Sequence, residues 1–178
     1  MKKVLLGLGS NKSYDGKSPL ELLECGKMEL RNQLKNVKFS AVYKTKAMYV
    51  EDQDDFYNMA AMGFVEDDVS PFDFLETIHK IEAKYGRNRE NEIRFGPRSL
   101  DIDIELFGEE EINTEILQIP HPRIEERAFV LIPAIEILND SADELVRAKY
   151  TKCLTKLAQE GKADGIERLG GQNGRENN

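Results

Sequence analysis

Cysteine is scarce in this sequence. The two that occur, Cys25 and Cys153, lie far apart, with no Cys-x-x-Cys pair and no Cys/His cluster. That spacing argues against a disulfide framework and against a zinc site, and it fits a reduced, cytoplasmic setting. An excess of positive charge is also missing: 25 Lys and Arg stand against 33 Asp and Glu, a formal net charge of −8. Such a balance argues against general nucleic-acid binding and against adhesion to anionic membranes, so an anionic ligand needs a local positive pocket. No stretch approaches the roughly 20 apolar residues required to cross a bilayer. Met1, Lys2 and Lys3 followed by Val4 to Leu8 imitate a secretory leader, but the apolar run ends at Ser10 and Asn11 without a cleavage site and reads instead as a first strand. Repeats, heptads and an internal linker are absent, and nothing marks an obligate protein partner. A chain of 178 residues that is 40% hydrophobic is expected to form one domain over residues 1–169, with 170–178 as a flexible tail.

What is present alternates between the two regular periods. Val4 to Leu8 suits a buried strand. Ser18-Pro19 supplies a cap and a first-turn proline for a helix reaching about Lys35, with Leu20, Leu22, Leu23, Met28, Leu30 and Leu34 on its apolar positions. Val37, Phe39, Ala41 and Tyr43 alternate with Lys38, Ser40, Val42 and Lys44, which predicts one strand with a buried face. An irregular acidic segment, Thr45 to Asp55, precedes an apolar strand from Phe56 to Val65. Ser70-Pro71 starts a second helix that ends at Gly86, and a loop runs from Arg87 to Pro97. After the next strand, Glu109 to Asn113 reads as a hairpin turn before a strand at Glu115 to Ile119. Glu125 to Leu138 reads as a helix broken or kinked at Pro133. Ser141 and Glu144 form a capping-box pattern for a last helix to about Gln159, and Ile166 to Leu169 reads as a small strand. The order strand, helix, two strands, helix, strand predicts an α+β protein. Its core is expected to be ferredoxin-like βαββαβ, a mainly antiparallel sheet with helices on one face and a C-terminal helical extension.

The chemistry concentrates between Arg87 and Gly108. Asp101 and Asp103 alternate on a strand, so their side chains share one face, about 7 Å apart along it, while Leu100, Ile102 and Ile104 face the core. Two carboxylates on a rigid strand can hold Mg²⁺, which takes its other ligands from water and from substrate phosphates. Arg87, Arg89, Arg94 and Arg98 precede them within twelve residues, and guanidinium groups fork onto phosphate oxygens. An Asp-x-Asp pair alone is more simply a solvated strand edge; a Gly-Pro turn and several arginines beside it favour a polyphosphate site. Gly7-Leu8-Gly9 fails the dinucleotide fingerprint because Lys12 falls where the third glycine belongs, and Gly16-Lys17-Ser18 fails the P-loop pattern at Asn11.

Three segments in this order, Gly7 to Asn11, the aspartate strand with its Gly96-Pro97-Arg98 lead, and Pro120 to Arg123 through Arg127 to Leu131, resemble the 6-hydroxymethyl-7,8-dihydropterin pyrophosphokinase family. Asp55-Phe56-Tyr57-Asn58 is a fourth, shorter match. The resemblance implies transfer of diphosphate from ATP to a reduced pterin alcohol, with Asp101 and Asp103 holding two Mg²⁺ ions and Arg87 and Arg98 acting on the diphosphate. It implies pterin contacts at Thr45, Ala47, Met48, Tyr57, Asn58, Phe95 and Phe129. For ATP it implies Leu75, His79, Glu82, Arg89, Ile104, His121 and Arg127. The sequence departs from the family pattern at His79 and Phe95, where relatives commonly carry glutamine and tryptophan, and at Pro122, where some carry tyrosine. By the same resemblance the loops Thr45 to Asp55 and Arg87 to Pro97 close over the substrates and exclude water.

Two other classes remain open on the residues alone. One is a ferredoxin-like binding module without turnover, since fold does not dictate function. The other is a Mg²⁺-dependent nucleotidyltransferase, which attacks the α-phosphorus of ATP and releases pyrophosphate.

Overall fold

The computed structural model describes residues 1–46, 54–89 and 96–170. Its centre is β1 (Lys2–Ser10), which lies between β4 (Phe56–Val65) and β5 (Asp101–Phe107). On the far side of β4 two short strands follow one another along its length, β2 (Lys35–Phe39) and β3 (Tyr43–Thr45). A last strand, β8 (Glu167–Arg168), pairs with β3. All these pairings are antiparallel.

Helices cover both faces of this sheet, not one. Val4, Leu6 and Leu8 pack beneath α1 (Pro19–Gln33) and α2 (Pro71–Lys84), against Leu23, Leu30, Phe74 and Ile78. On the opposite face Leu5, Ala60 and Met62 meet Leu131 of α3 (Ala128–Ile137) and Tyr150 and Leu157 of α4 (Glu144–Gln159). The unbroken apolar run of β1 has this cause, because a strand covered on both sides needs apolar residues at every position. α1 opens on the expected cap: Ser18 Oγ accepts from Glu21 N, and the Glu21 carboxylate accepts from Ser18 N at 2.8 Å. At α2, Ser70 Oγ accepts from Asp73 N at 3.1 Å. The turn at Tyr14 to Lys17 is a plain hairpin with Asp15 and Gly16 at positive φ.

Several expected elements differ, each for a local reason. The single strand over Val37 to Lys44 is divided at Ser40, whose Oγ accepts from Ala60 N at 2.9 Å and so replaces a ladder bond with a side-chain bond. The capping box at Ser141 does not form; a 3-10 turn, Ser141–Asp143, precedes α4 without a side-chain cap, and the Asp143 carboxylate instead pairs with Lys3 of β1. The strand at Glu115 to Ile119 shrinks to β7 (Gln118–Ile119), paired with β6 (Ile112–Asn113), because Thr114 Oγ1 and Leu117 exchange hydrogen bonds in the turn. The helix expected from Glu125 divides at Arg127 into a 3-10 turn, Ile124–Glu126, and α3, and Pro133 is carried inside α3 without ending it.

Candidate active site

The register of the sheet assembles the site before any side chain is considered. Asp101 lies opposite Gly9, and Gly9 lies opposite Asn58; one step along, Asp103 lies opposite Gly7. Directly opposed residues on antiparallel strands share a face, so the two aspartates and Asn58 point the same way. Strands are about 4.8 Å apart, which puts the aspartate strand roughly 10 Å from Asn58 with only glycine between. The glycines leave room for their neighbours: a Cβ at Gly9 would stand 3.2 Å from Asn58 Oδ1, and one at Gly7 would stand 2.9 Å from Glu105 Oε1, so either would push the facing side chain aside. The result is a bare floor with acids on one side and an amide on the other.

Arginines close the acidic side. Arg87, almost buried, pairs with both Asp101 and the buried Glu82. Arg98 Nε lies 3.5 Å from Asp101 Oδ2, and Arg127 Nη1 lies 3.4 Å from Asp103 Oδ2. Glu82 organises this group from α2, since it also accepts from Arg89 and from Ile102 N at 2.8 Å. Burial pushes the Glu82 carboxyl up to about 7, against the pull of Arg87 and Arg89. The Asp103 carboxyl is pushed up to about 6, first by its low-dielectric surroundings and then by the Asp101 charge. With 38% of the Asp103 side chain open to solvent, the Asp101 repulsion is the part that a bound cation would cancel.

The donor set fits a magnesium ion of the kind that completes its shell with phosphate and water. Two hard carboxylates share an open face. Among the described residues no group of three or more His, Cys, Asp or Glu side chains could hold an ion alone.

The residues expected to contact nucleotide fall in two groups. Leu75, His79 and Glu82 follow at helical spacing on α2, and His79 is half-buried, with its pKa lowered by burial and then by Arg89 and Arg87. On the other side His121 N donates to Glu105 O at 3.0 Å, and His121 Nδ1 accepts from Arg123 N at 3.3 Å. Burial and Arg127 depress its pKa to about 4, so the ring is neutral with its proton on Nε2, ready to donate. Arg127 also lies over the Phe129 ring, 5.9 Å from its centroid. On the amide side, Asn58 Nδ2 donates to Thr45 Oγ1 at 3.0 Å, both buried.

Two expected residues turn away. Tyr57 packs with the α1 and α2 cluster, on the opposite face of β4 from Asn58, because neighbouring residues of a strand alternate. The Ile104 side chain is buried in that same cluster. Ala47, Met48 and Phe95, together with Arg94, lie outside the described residues.

The sequence reading passed over two residues. Asn11 Oδ1 accepts from Arg98 N at 2.7 Å, while Asn11 N and Lys12 N both donate to Arg98 O, so the end of β1 fixes the arginine loop. Its signal was the polar Ser10-Asn11 pair closing an apolar strand. Glu105 is the other. β5 bulges there, with Leu6 opposite Ile104 and Leu5 opposite Leu106, and the extra residue turns its carboxyl inward below Gly7. It is 1% exposed, and neither oxygen has a hydrogen-bond partner among the described residues; His121 Nδ1 is 3.7 Å away. No signal in the sequence marks its burial, because Glu105 continues the alternation of Asp101 and Asp103.

A family model described as 7,8-dihydro-6-hydroxymethylpterin-pyrophosphokinase matches residues 5–139. The 2-amino-4-hydroxy-6-hydroxymethyldihydropteridine pyrophosphokinase of Bacillus subtilis is 44% identical over 112 residues, 63% of this chain and 65% of that protein. The protein of the same name from Haemophilus influenzae is 38% identical over 143 residues, 79% of this chain and 84% of that one. A folate synthesis bifunctional protein of Arabidopsis thaliana is 34% identical over 175 residues, 96% of this chain but 34% of that protein. The match therefore spans just under two thirds of the Bacillus protein's length and about a third of the Arabidopsis protein's. The crystal structure of wild-type HPPK-DHPS from Plasmodium falciparum superposes with a TM-score of 0.63 at 14% identity, over 94% of this chain and 48% of that one. At that identity the likeness speaks for the α+β fold alone.

Proposed function

The chain belongs to the 7,8-dihydro-6-hydroxymethylpterin-pyrophosphokinase family, and we propose that it is an ATP-dependent diphosphokinase that transfers diphosphate from ATP to the hydroxymethyl group of the reduced pterin, the pyrophosphokinase step of folate biosynthesis. The observation that carries this reading is the shared face of Asp101 and Asp103, ringed by Arg87, Arg98 and Arg127 and separated from Asn58 by a glycine floor. The carboxylates of Asp101 and Asp103 hold two magnesium ions, which when bound neutralise phosphate charge. Arg87 and Arg98 steady the diphosphate, and Arg127 and the Nε2 proton of His121 bind the nucleotide phosphates. Leu75, His79 and Arg89 border the nucleotide, while Glu82, wholly buried, acts through the Arg87 and Arg89 that it holds. Asn58, set by Thr45, offers an amide that matches the donors and acceptors of a pterin edge, and Phe129 supplies a ring for stacking. Attack runs in line from the pterin oxygen onto the β-phosphorus, and AMP leaves from the opposite side; positioning and charge neutralisation suffice, so no protein nucleophile is needed.

The strand order supports a ferredoxin-like βαββαβ core, if β2 and β3 count as two halves of one edge strand, with α3, α4 and β8 added to it. Residues 1–169 act as a single pyrophosphokinase unit whose partners are small molecules, and free Cys25 and Cys153 fit a cytoplasmic setting.

Protein incubated with ATP, Mg²⁺ and 6-hydroxymethyl-7,8-dihydropterin should yield AMP and pterin diphosphate in equal amounts. Release of free pyrophosphate, or no turnover, overturns the reading. Asp103→Ala should lower turnover by roughly 10²–10³-fold while its far-ultraviolet circular dichroism stays that of the parent.

A further inference from the structure

Beyond the span matched by the family model, residues 160–170 return to the sheet beside the amide side of the site. Glu167 and Arg168 of β8 pair with Lys44 and Tyr43 of β3, and Leu169 N donates to Val42 O at 2.8 Å. One carboxylate locks the arrangement. Glu136 of α3 accepts from Tyr43 Oη at 2.7 Å, from Ala41 N at 3.2 Å and from Arg168 Nη2 at 3.1 Å. It thereby joins helix, edge strand and C-terminal strand at one point. Tyr43 is 8% exposed and lies directly opposite Asn58 in the ladder, two residues before the Thr45 that receives the Asn58 amide.

β3 has only three residues, and β8 has two. Strands this short gain little from their own ladders, so their position depends on what holds them. The hydrogen bonds to Glu136 are charge-assisted, the kind that fixes geometry, and the one from Tyr43 is partly buried while those from Ala41 N and Arg168 are exposed. We propose that Glu136 and Arg168 form a clasp through which the C-terminal segment positions Thr45 and Asn58, making both of them positioning residues for the pterin alone. This inference rests on the reading of Thr45 and Asn58 as pterin contacts. Asp101 and Asp103 sit on β5, Arg98 precedes that strand and Arg87 follows α2, and the clasp touches neither element; Arg127 opens α3, at the far end of that helix from Glu136. Covering the sheet edge against aggregation would also account for β8, but an edge cover has no reason to act on one substrate and not the other.

The full-length protein carrying Glu136→Ala or Arg168→Ala would be assayed with each substrate varied in turn. The expected result is a pterin KM raised about three- to tenfold, with the ATP KM and kcat within about twofold of the parent. Glu136→Gln, which keeps one carbonyl acceptor for Ala41 N and offers an NH2 group that can donate to Tyr43 Oη in place of accepting from it, should fall between Glu136→Ala and the parent. A pterin KM unchanged in both alanine variants overturns the clasp, as does a parallel rise in both KM values, which marks general loosening. Asn58→Ala separates the two layers of the argument. If it raises the pterin KM while the clasp variants do not, only the clasp fails; if it too is without effect, the pterin reading fails and the clasp with it.

Discussion

Asp101, Asp103 and Glu105 alternate along one strand, yet only the first two reach open space. The pair was legible in the sequence because alternation alone fixes a shared face. The burial of Glu105 was not, since it depends on a bulge that appears only once β5 pairs with β1, where Leu5 faces Leu106 and Leu6 faces Ile104. The same alternation puts Tyr57 and Asn58, adjacent on the strand expected over Phe56 to Val65, on opposite faces, which the family resemblance alone does not take into account. An acid held with both oxygens unpartnered is costly. Burial, and then the Asp103 charge, raise the Glu105 pKa well above its ordinary value. The folded protein therefore keeps a proton that the unfolded chain releases once pH passes about 4.3. Stability from this group is complete in acid and falls as pH climbs towards the raised value. Glu105→Met, an apolar side chain of similar length, should stabilise by about 1–3 kcal/mol at pH 8 and by less at pH 4.5. Urea unfolding at the two pH values checks this; a loss of stability at pH 8, or the same gain at both, would contradict it.

Among the elements, those whose ends are written locally were predictable. Ser18-Pro19 and Ser70-Pro71 open α1 and α2 because a hydroxyl can reach a backbone N–H three residues on without help from the rest of the chain. Ser141 carries the same pattern and fails, because Asp143 is drawn to Lys3 on β1, a partner 140 residues away. The β2 and β3 division is likewise a tertiary effect, set by Ser40 bonding Ala60. The second helical layer was foreshadowed by the continuous apolar run of β1, which was read as burial without the inference that both faces are covered. The cap of α1 gives a direct test at this scale. Ser18→Ala removes the acceptor for Glu21 N and leaves the Glu21 carboxylate without its hydroxyl partner, so it should cost about 1 kcal/mol in urea unfolding. α1 carries none of the proposed contact residues, so kcat should be unchanged. A fall in kcat without loss of stability would mean that α1 does more than support the sheet.

At the scale of the whole molecule the proposed site is an intersection of elements distant in sequence: β1 supplies the floor, β5 the acids, α2 the Glu82 anchor, and the segment before α3 supplies His121 and Arg127. A ligand that touches all of them binds only when the sheet and both helical layers are assembled, so its binding energy is added to global stability. The net charge of −8 sharpens this, because a nucleotide approaching a negative molecule depends on the local arginines and on divalent cations that offset Asp101 and Asp103. A non-hydrolysable ATP analogue with Mg²⁺, at about 100 times its Kd, should stabilise by roughly 2.7 kcal/mol. For a chain of this length that corresponds to a rise in Tm of about 5–10 °C. The same analogue with excess chelator should shift Tm by less than half as much, and Asp103→Ala with Mg²⁺ should resemble the chelated parent. Differential scanning fluorimetry reads all three without any turnover. Equal shifts with and without Mg²⁺ would mean that the arginines alone hold the nucleotide, and that the paired aspartates do not serve it through a metal ion.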